Sequence, residues 1–263
     1  CFRASLRPSK LEQRNRALQR GPPSKPEQRS LTAAKPNRLE RPSRTPPGSR
    51  ARAGSIGKLE RSIEALQRRN TEDATQIIED DARIDELQVE IEDLAIQMIA
   101  RRQPLATDLR ATVSGLKVAP HIERIGDYAK NIARRTIALN QTPPIKPMFT
   151  IPRMGRMARG MVQDVLDAFT NNDVAKARAV WERDAELDDM YDSLFRELLT
   201  YMMEDPRSIT SCTHLLFVAR NIERIGDIAT NIAELVHYQV EGETLTEDRP
   251  KTDEASVIVV DSN

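Results

Sequence analysis

The chain carries the segment HIERIGDYAKNIA at residues 121–133 and a near copy, NIERIGDIATNIA, at residues 221–233. Ten of the thirteen positions are identical. A repeat with a fixed period indicates a duplicated structural unit. Core packing alone requires only the apolar residues to recur, yet the polar residues recur as well, so the pattern predicts a site that occurs twice. These polar residues are Glu123, Asp127 and Asn131 in the first copy and Glu223, Asp227 and Asn231 in the second.

The duplication extends beyond this segment. The stretch from Asp81 to Asp85 corresponds to the stretch from Asp184 to Asp188, and Pro104 corresponds to Pro206. Apolar residues recur at three-to-four spacing through most of both halves, which predicts amphipathic helices, and nothing indicates a strand. The sequence therefore predicts an all-α fold of two tandem three-helix bundles related by internal duplication.

Prolines and turn residues set the expected boundaries, because paired prolines forbid a continuing helix. The expected helices cover about 57–70, 71–102, 105–139, 152–169 and 174–204, with a last one that follows Pro206 and reaches about residue 240. The expected domains are a basic Pro/Arg-rich head at 1–53, repeat 1 at 54–140, a linker at 141–152, repeat 2 at 153–241, and an acidic mobile tail at 242–263.

Charge divides the chain into a basic head and an acidic body. Residues 1–53 contain 14 Lys/Arg against 3 Asp/Glu, whereas residues 54–263 contain 26 against 37. The head also holds 8 of the 16 prolines and shows no hydrophobic period, which is typical of disorder, with a transit peptide and a basic arm as alternatives. A misassigned or frame-shifted start is our hypothesis for this stretch. The acidic body argues against nucleic acid as a partner.

The composition also points to a compartment. Two cysteines, Cys1 and Cys212, cannot form a disulfide framework, so a reducing compartment is expected. No apolar run approaches the ~18 residues of a membrane span, and there is no signal-peptide core. We therefore expect a cytoplasmic protein that does not insert into the membrane.

The repeated acids have two interpretations. Residues four apart lie on one helical face, and in the first half this polar stripe lies roughly opposite the apolar face, so the acids are expected to point to the surface. A second pair of acids on the preceding helix could join them, and oxygen-rich clusters suit Mg, Mn, Ca or iron. The alternative is a solvated polar face, with Arg124, Lys130 and Arg134 as neighbours. Both interpretations stay open.

Catalytic patterns are missing from the sequence, so no enzyme is predicted. There is no Gly-rich phosphate loop, nucleophile elbow or Cys/His dyad. The three histidines have no counterparts in the other half, so none is expected to be an essential ligand. Gly126 and Gly226 lie within the repeated helix, where glycine is costly. They predict close approach of another group, with helix packing favoured over a ligand.

Two copies of Glu-Arg-Ile-Gly-Asp followed by Ala-x-Asn-Ile-Ala resemble the PhoU family of phosphate-signalling regulators. The turn from Arg102 to Arg110 is also similar to that family, and the resemblance covers about residues 57–250. It implies a non-enzymatic adaptor that carries multinuclear metal clusters, often of iron or zinc. Such an adaptor links the phosphate ABC transporter ATPase to a sensor histidine kinase and negatively regulates the phosphate-starvation response and phosphate uptake. A homodimer is expected as well.

The resemblance also implies a ligand set. The family's motif, Glu/Asp-x-x-x-Asp, falls on Asp81, Asp85, Glu123 and Asp127, and then on Asp184, Asp188, Glu223 and Asp227, with Asn131 and Asn231 as additional candidates. The family opens each repeat with a full helix bearing a Met-Gly motif, as at Met154 here. The matching stretch of the first half, residues 52–56, falls inside the head, so the first bundle could lack most of its first helix. The alternative function is a metal-free helical adaptor that binds basic partner surfaces.

Overall fold

The computed structural model describes residues 45–80, 82–144, 150–243 and 245. All regular structure in these residues is helical, which confirms the predicted all-α fold. The helices are α1 Pro47–Arg68, α2 Thr71–Glu79, α3 Ala82–Arg102, α4 Ala106–Leu139, α5 Thr150–Asn171, α6 Val174–Glu204 and α7 Ile209–Glu241, with a 3-10 turn at Pro206–Ser208. The predictions for the head up to residue 44, for linker residues 145–149 and for most of the tail lie outside the described residues.

The first bundle has a complete first helix. α1 has 22 residues, as does its counterpart α5, and it includes residues 47–53, which the sequence assigned to the head. The expected start near residue 57 is therefore wrong. Pro46 precedes the helix and Pro47 occupies its first turn, where a missing N–H costs nothing. The prolines of the head were expected to exclude a helix, but Pro46 and Pro47 lie at the start of one.

The expected single helix over residues 71–102 is interrupted. α2 ends at Glu79 and α3 begins at Ala82. The Asn70 side chain caps the start of α2 by accepting hydrogen bonds from the backbone N–H groups of Glu72 and Asp73, and Asp80 is the C-cap at its end. Buried Ile77 and Ile84 keep a helical spacing across the break, which is why periodicity did not reveal it. The corresponding α6 runs unbroken for 31 residues.

The helices form the two predicted bundles. α1, α2, α3 and α4 pack together in the first bundle, and α5, α6 and α7 in the second. Between the bundles, α1 packs against α5 and α4 against α7. The main apolar core is continuous across both bundles, from Leu59 in α1 to Val236 in α7.

The two longest helices, α4 and α7, lie antiparallel to each other. Residues 131–138 of α4 share a cleft with residues 217–224 of α7, whereas residues 117–121 share one with residues 231–238. Near one end, the Arg110 side chain donates a hydrogen bond to the Gln239 carbonyl. This pairing places the two copies of the repeated polar stripe on the two helices that join the bundles. No helix in the described ranges is long and apolar enough to cross a membrane.

Candidate functional site

In the first repeat, the polar stripe on α4 is half-buried and interacts with cations of its own helix. Lys130 Nζ lies 3.2 Å from an Asp127 carboxylate oxygen, and Arg134 donates to Asn131 Oδ1 at 3.3 Å. Asp85 is exposed on α3, and Asp81 lies outside the described residues. The Lys130–Asp127 pair is the arrangement that the solvated-face interpretation requires.

In the second repeat, the acids lie deeper. Asp184 is 1% exposed and Glu223 is 6% exposed, while Asp188, Asp227 and Asn231 are half-buried. The expectation that the acids point to the surface is therefore wrong for Asp184 and Glu223. Arg220 Nη1 donates to Glu223 Oε1 at 3.0 Å and so balances the charge of this buried carboxylate.

Gly226 explains this burial. A Cβ added at Gly226 would lie 2.5 Å from Leu187 Cδ2 and 3.0 Å from Asp184 Oδ1. α6 thus contacts the α7 backbone directly, and Asp184 lies beside the turn that carries Glu223. The first repeat uses the same device, since a Cβ at Gly126 would lie 3.0 Å from Ile84 Cδ1. The prediction that these glycines serve helix packing is confirmed.

The donor types suit a hard or borderline cation, but they do not form a three-ligand site in this arrangement. No three His, Cys, Asp or Glu side chains lie close enough to share a metal ion within residues 45–80, 82–144, 150–243 and 245. Two of the predicted ligands, Asp127 and Glu223, already interact with Lys130 and Arg220. Shared coordination would require these cations to move away from the carboxylates.

The sequence analysis assigned no role to Arg220, although its distance from Glu223 along the helix predicts a contact. Arg220 precedes Glu223 by three residues, a separation at which helical side chains meet. Its counterpart in the first repeat is Pro120, so the internal comparison did not draw attention to it. His121 stands beside the first stripe, and burial, with a smaller contribution from the Arg124 charge, lowers the pKa of its imidazole. His121 is therefore neutral near pH 7.

The architecture can be compared with known proteins. The PhoU domain model matches residues 54–136 and 151–236, which are the two repeats. A phosphate-specific transport system accessory protein PhoU homolog from Caulobacter vibrioides is 52% identical over 73% of this chain and 84% of its own length. The homolog of the same name from Zymomonas mobilis is 48% identical over 72% of this chain and 80% of its own length.

Solved structures agree with this assignment. The crystal structure of PhoU from Pseudomonas aeruginosa superposes with a TM-score of 0.72 at 36% identity, covering 75% of this chain and 95% of that one. The phosphate transport system regulatory protein PhoU from Streptococcus pneumoniae gives a TM-score of 0.71 at 26% identity, covering 76% and 95%. Two matched repeats, close relatives and a shared fold show that this chain belongs to the PhoU family.

Proposed function

We propose that the chain is a cytoplasmic accessory protein of phosphate-specific transport that restrains phosphate uptake and the phosphate-starvation response without enzymatic activity. The observation that carries this proposal is similarity over both repeats. The PhoU domain model matches each repeat, and the Caulobacter vibrioides relative is covered over 84% of its length. The chain therefore has both of the repeats that a family role could require.

Exposed apolar residues support a role in binding other proteins. Within the described part of α3, these are Val89, Leu94, Ile96 and Met98. Val89 and Ile96 are seven residues apart and so share one face of α3, and apolar side chains that share an exposed face favour protein contacts over a fully solvated surface. The partners in the proposal are the transporter ATPase, a sensor histidine kinase and a second copy of this chain.

A phosphate-regulated reporter tests the function. In a strain lacking the chain, the reporter is expected to stay on in high phosphate, and the full chain should restore repression. V89E/I96E should fail to restore repression, because binding of a partner to α3 would bury the two new charges and so be opposed. Met203→Glu, which alters an exposed apolar residue on α6, should still restore repression. A full chain that accumulates normally but does not restore repression would exclude the proposed function.

Metal binding by the repeated acids is a separate part of the proposal. It is supported by the oxygen-donor chemistry and by the approach of Asp184 to the turn of α7 that carries Glu223. We expect the purified full chain to contain iron or zinc by elemental analysis. The metal content should fall in the Asp127→Ala/Asp227→Ala double variant and remain in Glu182→Gln, where the exposed acid pairs with Arg178 on its own helix.

Elemental analysis also separates the two interpretations of the acids. A full chain that stays metal-free after dialysis against ferrous or zinc ions, yet still restores phosphate repression, would leave the metal-free adaptor as the correct alternative. In that case the acids act through the cations already beside them, Lys130 and Arg220.

A further inference from the structure

A cleft of about 490 Å³ lies between the C-terminal half of α4 and the N-terminal half of α7. Its polar lining consists of Arg134, Arg135, Arg220, Arg224, Asn131 and Asn221. No carboxylate of the part of the chain that the structure describes lines it, although residues 54–263 carry 26 Lys/Arg against 37 Asp/Glu. We call this feature the arginine cleft, and it concentrates positive charge on an acidic body.

Arg135 is held in place on two sides. Its guanidinium carbon lies 4.4 Å from the centroid of the Phe217 ring, and its Nη1 lies 3.3 Å from His214 Nδ1. A guanidinium only donates, so His214 Nδ1 must be the acceptor. Burial, with a smaller contribution from the Arg135 charge, lowers the pKa of His214 and keeps the ring neutral. The cation is therefore positioned before any ligand arrives.

The other three arginines are also oriented by neighbours. Arg134 donates to Asn131, and Arg224 lies 5.9 Å from the centroid of the Tyr128 ring. Arg220 lies over the ring of Tyr191 and pairs with Glu223. Glu223 balances one of the four charges, so the cleft keeps a positive excess.

The duplication supplies an internal comparison. The other end of the α4–α7 pair has a cleft of about 460 Å³, which we call the mate cleft. Its Glu234 and Leu235 stand where the arginine cleft has Arg134 and Arg135. Packing of α4 on α7 thus creates similar clefts at both ends, but only one of them has clustered arginines. The cluster is not a by-product of the helix pairing.

We propose that the arginine cleft binds a small molecule that carries two or more phosphoryl groups. Guanidinium groups match phosphate oxygens through paired N–H donors, and several of them can contact successive phosphoryl groups. The cleft volume lies within the range of small-molecule sites, and Phe217, which is 47% exposed, provides an apolar wall. The inference does not depend on the proposed role in transport.

Calorimetric titration of the full chain with sodium tripolyphosphate at constant ionic strength tests the site. R134Q/R135Q should weaken binding by about tenfold or more, because charge-assisted hydrogen bonds are lost. K117Q/R124Q also removes two cations of α4, and neither of them lines the arginine cleft. This variant should change affinity by less than about twofold, since exposed charges outside the cleft are screened. Arg134→Gln alone should weaken binding too, and it leaves the Arg135–Phe217 contact intact.

Parallel titrations identify the source of the phosphoryl groups. ATP that binds more tightly than tripolyphosphate, with the same arginine dependence, indicates a nucleotide that also uses the Phe217 wall. Tripolyphosphate that binds more tightly indicates an inorganic chain. Orthophosphate should bind more weakly than the tighter of these two ligands, because one group engages fewer guanidinium groups.

Three results would overturn the proposal. The first is the absence of binding by both polyphosphate ligands. The second is equal weakening in R134Q/R135Q and K117Q/R124Q, which would show a general charge effect. The third is binding that is unchanged in R134Q/R135Q. That result would be expected if a metal ion held by the unaltered acids bound the phosphoryl groups instead. Circular dichroism of each variant confirms that the helices are retained.

Discussion

Leu187→Ala is expected to lower the free energy of unfolding by about 2–5 kcal/mol, the range for truncating a buried leucine. Leu187 is fully buried in the main core, where α6 contacts the backbone of α7 at Gly226. Rigid backbone on one side limits how far the cavity can collapse. Urea denaturation followed by far-UV circular dichroism measures the loss.

Leu199→Ala is the matched control for this substitution. Leu199 lies on the same helix but is 38% exposed, so its truncation should cost less than about 1 kcal/mol. Equal losses in the two variants would show that α6 does not pack against α7 as described.

Gly226→Ala is expected to lower the free energy of unfolding by up to about 2 kcal/mol, because overpacking costs about 1–3 kcal/mol against a helix-propensity gain of about 1 kcal/mol. The new Cβ would lie 2.5 Å from Leu187 Cδ2, and Leu187 is too enclosed to move away. The same denaturation measurement applies. In a Leu187→Ala background, the substitution should cost less, because the clash with Leu187 is gone although the 3.0 Å approach to Asp184 Oδ1 remains.

Two other glycines calibrate this result. Gly115 lies inside α4 with nothing within 4 Å of an added Cβ, so Gly115→Ala should stabilise the protein by up to about 1 kcal/mol. Gly126→Ala should fall between the two, since Ile84 Cδ1 at 3.0 Å has only to shift slightly. The same cost for Gly226→Ala with and without Leu187 would refute the steric explanation.

The fold was predictable where it depended on the residue spacing within a single helix. Apolar spacing and the repeat predicted two bundles, and Gly126 and Gly226 predicted close packing. Pro47 was misjudged because proline disrupts a helix interior but fits its first turn. The break after Glu79 was missed because Ile77 and Ile84 keep a helical spacing across it. α2 ends with Asp80 at its C-cap, where the Asp80 backbone N–H donates to the Gln76 carbonyl, and the apolar pattern carries no sign of that end.

The candidate site was only partly predictable. Spacing of four residues correctly placed Glu123 and Asp127 on one face of α4. It could not show that Asp184 is buried, because burial depends on how closely α6 approaches α7. The arginine cleft was also beyond a single-helix argument, since its two sides are about 90 positions apart in the chain. In the sequence, the difference between Arg134 and its counterpart Glu234 was a signal that the two ends of the α4–α7 pair differ in charge.

The continuous core makes each repeat depend on the other for the burial of part of its apolar surface. A repeat cut free between residues 140 and 149 would expose to water the face of α4 that now packs against α7. A one-repeat ancestor could cover that face with a second copy of itself, arranged antiparallel about a two-fold axis. On this view the present chain is a covalently joined dimer. Two joined copies, unlike two identical ones, can differ in sequence, and the arginines at one end of the α4–α7 pair are such a difference.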